Sequence, residues 1–514
     1  MKKILKFILS RTFLFGVLIA VQLGLFFWLI LQFSQAGSYA YLILTLISVF
    51  VIILVLEHSG TNPAYKMMWL LIVVALPVSG AFFYLLWGKP SIKPKRAAHF
   101  LDLERKAAAA MEPDPDVSED ACRCLPDMQR SMEYLSTNSA APVYRDTKAE
   151  YYPIGQDFFV SFLREIQSAK KFIFLEYFII HEGEEMWERT LDILKQKAAQ
   201  GVDVRVIYDG FGSMFTLSSD YDETLRRAGI QCRVFNPLQF SWHLADYKLL
   251  NHRDHRKITI VDGEVGFTGG LNFADEYINK KHRFGVWKDT GLMLKGPGVY
   301  SLTVTFLKMW DFVAGTSTRY QDYRPAMRYE AADGFVQPYC DSPLDDENVS
   351  ESAYFNLIHA ARHSLDIVTP YLILDNEMVT SLRLAAKSGV QVRILVPGVP
   401  DKWYVYYVTQ SYYGELLRAG VRIYEYEPGF LHAKMYVCDD QAAIVGSANM
   451  DYRSLYLHFE NCCIFYGGHM VEDVHQDIVQ TLTECREVTL ADTEHVPLYK
   501  WLAQVALRFF APLM

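Results

Sequence analysis

Charge is missing from two long stretches near the start of this chain. No Asp, Glu, Lys or Arg occurs from Thr12 to Leu56, nor from Met67 to Gly88. Such runs exclude an ordinary solvated surface, and about 20 apolar residues in a helix cross a bilayer core. The segments 12–33, 39–56 and 67–87 therefore predict three membrane spans, with a turn-like stretch at 34–38 between the first two. No small-residue cleavage site leads from the first run into a polar chain, which argues against a signal peptide. The eight cysteines, Cys122, Cys124, Cys232, Cys340, Cys438, Cys462, Cys463 and Cys485, lack the repeated CxxC spacing of a zinc site. They read as reduced, mostly buried thiols and fit a reducing compartment.

Acid is scarce before Ala97, and base is scarce after it. Nine of the 50 Lys and Arg lie in that first part, against one of the 59 acids, Glu57; the rest carries 41 bases and 58 acids, a formal −17. Nonspecific nucleic-acid binding needs phosphates neutralised by Lys and Arg. An acidic body without a basic aromatic stripe speaks against a nuclease or a nucleic-acid module. The same body is weakly repelled by anionic lipid, so work on lipid requires a tether, and residues 1–96 read as a membrane anchor. Lys2, Lys3, Lys6 and Arg11 precede the first run, and Lys89, Lys93, Lys95 and Arg96 follow the third. The positive-inside rule puts both clusters in the cytoplasm, which three full crossings cannot do. Either one segment is re-entrant or interfacial, or one cluster lies outside.

The chain's 514 residues suggest about three units at ~150 residues each. Residues 97–137, Ala- and charge-rich and interrupted by Pro113 and Pro115, read as a helical linker. Beyond them the chain repeats itself. In the first copy, 138–325, helical spacing at 158–169 leads into a strand at 172–180, a helix through 191–200 and a strand over 201–208. The second copy, 326–500, follows the same course through 358–361, 364–372, 385–388 and 389–395. Arg226-Arg-Ala-Gly-Ile230 and Leu417-Arg-Ala-Gly-Val421 close the two series. Gly after a helix and β-branched residues after the Gly are C-cap and strand signals. Alternation of this kind predicts α/β/α sandwich domains, two of them about a pseudo-twofold axis.

Each copy ends in the same constellation. The first is His255, Lys257, Asp262, Gly269, Gly270 and Asn272; the second is His432, Lys434, Asp439, Gly446, Ser447 and Asn449, at identical spacings. The segments 255–261 and 432–437 read as strands, on which residues i and i+2 share a face, so His and Lys project together. Asp262-Gly263 signals a hairpin turn, whose return strand brings Asn272 back to that face. Imidazole, ammonium and amide make half a phosphate site, and two halves suffice for phosphoryl transfer without a metal or other cofactor. One histidine attacks phosphorus and forms a phosphohistidine; the other protonates the leaving alcohol and then deprotonates the incoming one. Lys257, Lys434, Asn272 and Asn449 stabilise the equatorial oxygens.

Asp262 and Asp439 belong to the motif and are counted with its catalytic residues, yet their turn position suits holding the hairpin. Gly269, Gly270 and Gly446 allow close backbone approach. A nucleophilic His needs an acid on its other nitrogen, and Asp289 and Glu460 are placed for that after the motifs. His252 reads as a neighbour of the site or plain surface, and His243 and His363 as incidental.

Two HxKxxxxD motifs, each trailed by G[GS]xN, resemble the phospholipase D superfamily from about Tyr151 to the end. Within it the chain is most similar to bacterial cardiolipin synthases. The similarity runs through 251–263, 269–272, 275–277, 287–290, Leu175-Glu-Tyr177, 209–213 and 446–454. Trp69–Gly88 resembles the family's second membrane helix, and the apolar 501–514 its closing amphipathic segment, readable as an interfacial helix. The resemblance implies metal-free transfer of a phosphatidyl group from one phosphatidylglycerol to another, with release of glycerol. Carried over, His255 is the nucleophile and His432 the acid/base, although the near-symmetric halves leave the reverse open. It implies a multi-pass protein of the bacterial cell membrane, its catalytic domains cytoplasmic, with membrane lipid as partner and no nucleic acid. A third N-terminal run departs from the family's usual two. A hydrolytic phospholipase D and a phosphatidylserine synthase share these motifs and are the rival readings.

Overall fold

The computed structural model describes residues 20, 24, 28, 35–57, 62–88, 94–237, 251–345, 347–494 and 496–514. The span expected at 12–33, save three isolated residues, lies outside these, as do Lys89, Lys93 and His243. The described chain divides into a helical N-terminal unit and a larger unit from Pro94 onward.

In the N-terminal unit a helix covers Gln35–Glu57, where a turn was expected up to residue 38. Gly37 and Ser38 are weak helix breakers, costing about 1 kcal/mol at most, and no proline accompanies them. The run at 67–87 is not one helix. It is divided into Pro63–Ala75 and Pro77–Phe83, followed by a π-helical turn at Tyr84–Gly88. Pro77 lacks an amide hydrogen and pushes the preceding residue out of the helical region, and Leu76 sits at φ −131° and ψ 71°. The halves then fold together closely enough that a Cβ on Gly80 would lie 2.6 Å from the Ile72 carbonyl oxygen. Both pack on Gln35–Glu57, which leaves Leu42, Ile43, Leu46, Phe50 and Ile53 exposed. Side chains of that helix are described without interruption only from Leu42 onward. Among the described residues no helix is long and apolar enough to cross a membrane.

Among the described residues the larger unit holds two large sheets and a two-stranded one. The first half supplies β1 (Lys148–Tyr152), β2 (Phe172–Tyr177), β3 (Asp203–Asp209), β4 (Gln231–Phe235), β5 (Arg253–Asp254), β6 (Lys257–Val261), β7 (Val265–Gly269), β8 (Val286–Lys288) and β9 (Gly291–Lys295). The second supplies β10 (Phe335–Asp341), β11 (Ser364–Val368), β12 (Gln391–Pro397), β13 (Arg422–Tyr426), β14 (Gly429–Leu431), β15 (Met435–Cys438), β16 (Ala442–Gly446), β17 (His458–Tyr466) and β18 (Cys485–Val488). The strand orders are β1-β9-β7-β6-β2-β3-β4 and β10-β17-β16-β15-β11-β12-β13-β18. Apart from the added β18, each strand of one sheet has its counterpart in the other, as a duplicated sequence demands.

Parallel pairing of β2 with β3 and of β3 with β4 is connected by the helices Glu185–Ala199 and Tyr221–Arg227. The second half repeats this with Asn376–Lys387 and Trp403–Leu417. The helix Val299–Ala314 is buried without a break from Val299 to Phe312. Its Phe306 and Met309 join Phe174 and Ile207 of the first sheet and Leu395 and Met435 of the second in one apolar cluster. The halves therefore share a core and cannot separate without exposing it. The segment expected as a linker forms the helices Pro94–Ala110, Pro115–Cys124 and Gln129–Asn138. Phe100, Leu103 and Ala107 enter the same cluster, so its apolar stripe is packed against the body.

Candidate active site

Two short parallel ladders cross between the halves and set the site. In one, β5 pairs with β17, Arg253 opposite His458 and Asp254 opposite Phe459. In the other, β14 pairs with β8, Gly429 opposite Val286 and Leu431 opposite Lys288. One register step further, the first ladder brings His255 to Glu460 and the second brings His432 to Asp289. The His255 amide donates to the Phe459 carbonyl at 3.0 Å, and the His432 amide to the Lys288 carbonyl at 2.7 Å. The histidines thus leave the strands on which they were expected: β6 starts at Lys257 and β15 at Met435. Their amides are committed to the opposite half before the chain joins its own sheet.

The result is a reciprocal exchange of carboxylates. Nδ1 of His255 lies 2.9 and 3.0 Å from the two oxygens of Glu460, and Nδ1 of His432 lies 2.5 Å from Oδ2 of Asp289. A carboxylate at Nδ1 holds the proton there and leaves Nε2 with a lone pair. All four side chains are buried. Lys434 Nζ stands 3.0 and 3.1 Å from the His432 ring nitrogens, and each lysine donates to the carbonyl of its own motif histidine.

The carboxylates are steadied differently. Glu460 accepts hydrogen bonds from Ser447 Oγ and, at 2.7 Å, from Ser454 Oγ. Asp289 accepts from the Thr290 amide at 2.8 Å. Gly270 occupies the place of Ser447 in the first half, and a Cβ there would sit 2.0 Å from Asp289 Oδ1. A Cβ on Gly269 would meet the Thr290 carbonyl at 2.4 Å, and one on Gly446 would meet Cys462 Sγ at 2.4 Å. All three glycines exist for close approach.

Burial pushes the His255 imidazole well below its ordinary pKa of 6.5, and Lys257, Lys434 and His432 add to the effect. Burial likewise takes His432 to about 4, with Lys434 acting in the same direction and Asp289 against it. Lys257 is brought down to about 7 and Lys434 to about 8, again by burial first. At Asp289 burial raises the carboxyl, but His432 and Lys434 outweigh it and the net direction is downward. Four bases crowded out of water are poised to gain protons when an anion arrives.

Asp262 and Asp439 lie away from this group. Asp262 accepts from the backbone amides of Lys170, Lys171 and Phe172 at 2.7–2.9 Å, and Asp439 from those of Arg362, His363 and Ser364 at 2.7–2.8 Å. Both adopt positive φ, 54° and 50°, in the three-residue turns between β6 and β7 and between β15 and β16. Each carboxylate is spent on three amides entering β2 or β11, the hairpin-holding contacts that their turn position suits. His363 contributes only its amide. Asn272 is buried, accepting from the Ile179 amide at 3.1 Å and donating to the Tyr277 hydroxyl at 2.7 Å. Among the described residues, Oδ1 of Asn449 and Nε1 of Trp287 are buried and find no hydrogen-bond partner.

Several site residues stand outside the two repeated constellations, some of them within the stretches of resemblance. Tyr277, Trp287 and Phe430 surround His432 at ring-centroid distances of 5.7, 5.2 and 5.7 Å. Phe178 stands 5.1 Å from His255. Arg256, between the motif His and Lys, is buried against Asp254 at 2.9 Å and Glu176 at 2.5 Å. Arg253 reaches Asp209 at 3.3 Å. His252, left open between neighbour and surface, is buried. His458 lies 5.5 Å from His255, ring to ring. Among the described residues, His255, His458 and Glu460 could hold a metal ion, their ligand atoms lying within 4.8 Å of one another. Lys257 and Lys434 act on the same imidazole, so the local field favours an anion.

A family model described as cardiolipin synthase, phospholipase D-like domain, matches twice, at 162–310 and 354–482. A second, described as phospholipase D-nuclease N-terminal, matches 43–89. A cardiolipin synthase of Geobacillus kaustophilus is 34% identical over 97% of this chain and 97% of its own. One of Alkalihalophilus pseudofirmus is 34% identical over 91% and 92%. An uncharacterised protein of Streptococcus mutans is 40% identical over 90% and 99%. The crystal structure of a phosphatidylserine synthase from Haemophilus influenzae shares the fold, with a TM-score of 0.58 at 14% identity over 75% of this chain and all of that one. Two family matches on the two halves, around one site that both complete, mean that the chain belongs to the cardiolipin synthase family of the phospholipase D superfamily.

Proposed function

We propose that the protein is a cardiolipin synthase, joining two phosphatidylglycerols into cardiolipin and releasing glycerol. The observation that carries the reading is the reciprocal pairing of His255 with Glu460 and His432 with Asp289, beside relatives of that name along nearly the whole chain. Each imidazole turns Nδ1 to a carboxylate and leaves Nε2, which in His432 faces Lys434 Nζ at 3.1 Å, for in-line displacement at phosphorus beside two lysines.

In the first step Nε2 of His255 attacks phosphorus, the bond to the headgroup glycerol oxygen breaks, and His432 gives that oxygen a proton. In the second, His432 takes the proton from the terminal hydroxyl of another phosphatidylglycerol. That oxygen attacks phosphorus, the P–N bond breaks, and cardiolipin leaves. His432 is neutral in the empty site, with its pKa near 4, so the first step needs a proton. The phosphodiester anion between the lysines favours its uptake. Lys257 and Lys434 stabilise the equatorial oxygens. Asn449 and Trp287 offer a buried oxygen and N–H that the substrate can satisfy. Asn272 acts through Tyr277.

The N-terminal unit is the membrane anchor in this reading, supported by its three charge-free runs and the apolar side chains exposed on Gln35–Glu57. The catalytic halves lie on the cytoplasmic side of a bacterial cell membrane. Purified protein incubated with phosphatidylglycerol in detergent micelles should yield cardiolipin and glycerol. Phosphatidic acid and glycerol instead would assign it to the hydrolases. His255→Ala and His432→Ala should each abolish turnover in folded protein, and full activity of either would refute the two-histidine mechanism.

A further inference from the structure

We propose that the catalytic body carries its own bilayer-docking surface, built from the helices Trp403–Leu417 and Leu498–Phe509, which seats the mouth of the site on anionic lipid. The two helices run side by side in the same direction. Lys500 lies over the Tyr407 ring at 5.4 Å and Arg508 over the Tyr412 ring at 4.2 Å. Their N-terminal ends therefore meet, and the large side chains there face solvent. Trp403 is 62% exposed, Tyr499 70% and Trp501 51%, with Leu498, Leu502 and Val505 beside them. Trp403 also packs edge-on against Tyr407 at 5.6 Å. Trp and Tyr, apolar with one polar atom, suit the headgroup boundary of a bilayer.

Charge selects the occupant. Leu498–Phe509 carries Lys500 and Arg508 and no acid; Arg508 faces Glu415 of the neighbouring helix at 3.7 Å, which leaves Lys500, beside the exposed Trp and Tyr, as the base open to a headgroup, in a body whose formal charge is −17 over the residues after Arg96. A basic amphipathic helix against that background is matched to anionic lipid, not to a second copy of the same acidic chain. The surface also adjoins the site. A recess at the start of Trp403–Leu417 is lined by Tyr371, Asp401, Lys402, Tyr406 and Phe430. The Phe430 ring stands 5.7 Å from that of His432. The recess next to Trp403 thus shares Phe430 with the surroundings of the leaving-group imidazole. The placement rests on the phosphatidyl-transfer reading for its purpose, though not for its contact with the bilayer.

The full chain, in vesicles of phosphatidylglycerol and phosphatidylethanolamine that contain a photoreactive phospholipid, tests this. On the catalytic body, apart from labelling of the N-terminal anchor, adducts should concentrate on Trp403, Tyr407 and residues 498–505, and spare Val160 and Leu384, which are equally exposed and apolar. Uniform labelling of all these positions, or cross-links joining two copies through the patch, would overturn the docking surface. The combined change Trp403→Ser, Trp501→Ser and Leu502→Ser should cut turnover of vesicle phosphatidylglycerol about tenfold while leaving that of a dispersed short-chain phosphatidylglycerol within about twofold. Equal loss on both substrates would make the residues merely structural and sink the proposal. If the unaltered protein makes no product from either substrate, the functional reading fails, and the labelling pattern still decides the surface.

Discussion

Replacing Asp289 with Asn isolates what the exchanged carboxylate does. Its Oδ2 lies 2.5 Å from His432 Nδ1, and both side chains are buried, 0% and 8% exposed. Asn has nearly the same volume, and its oxygen can keep the Thr290 amide, so packing is preserved. What changes is charge and proton position. The amide offers an N–H to Nδ1, which moves the imidazole proton to Nε2 and removes the lone pair that must take a proton from the incoming hydroxyl. The imidazolium formed during transfer also loses its counter-charge in a buried site. Breaking a buried pair on one side costs about 3–5 kcal/mol, and about 1.4 kcal/mol is tenfold in rate. Turnover of phosphatidylglycerol should therefore fall about 10²- to 4 × 10³-fold at neutral pH, and further if the tautomer inverts fully. The assay is kcat for cardiolipin formation, alongside the thermal midpoint. A variant that keeps activity within about threefold, or loses it only by unfolding, would refute the claim that the opposite half orients His432.

Other outcomes follow from the same geometry. Gly270→Ala should abolish most activity, because its Cβ would stand 2.0 Å from Asp289 Oδ1; Ser447→Ala, which removes a donor to Glu460 and the acceptor of the Asn461 amide at 3.0 Å, should cost about tenfold in kcat. Asp262→Ala should lower stability by about 2–4 kcal/mol through three orphaned amides, read by denaturant titration, with kcat of the folded fraction preserved. For pH, the charged lysines are the active form: kcat/KM should fall as pH rises through about 7 to 8, where Lys257 and Lys434 lose their protons in the free protein. The bound phosphodiester favours the ammonium, so the fall in kcat should come at higher pH. Calorimetry in buffers of different ionisation enthalpy should detect proton uptake on phosphatidylglycerol binding; its absence would contradict the recruitment of a proton to His432.

The motif spacings made much of this site legible, because local chain geometry dictates them. Two residues from His to Lys, and a turn at Asp262-Gly263, depend only on neighbours. Asp289 and Glu460 could be named from their positions after the motifs. Their crossed assignment could not, since it depends on ladders that join residues 143 and 205 positions apart. Nothing local reports the register between β14 and β8. For the same reason the histidines read as strand residues: alternation is visible in sequence, whereas a backbone amide claimed by another half is not. Tyr277, Phe178 and His458 reach the site through tertiary packing alone. In the N-terminal unit hydropathy dominated the reading and Pro77 was passed over, although its missing amide divides the run into two short helices.

The crossed carboxylates also bear on inheritance. A lone copy of the repeat would hold an imidazole and a carboxylate that cannot reach each other. It would gain a furnished histidine only by associating with a twin, so a single-repeat forebear must have worked in pairs. Fusion into one polypeptide then bound the fates of distant positions. Drift at 460 is answerable at 255, and drift at 289 at 432, so each half is selected through its sibling.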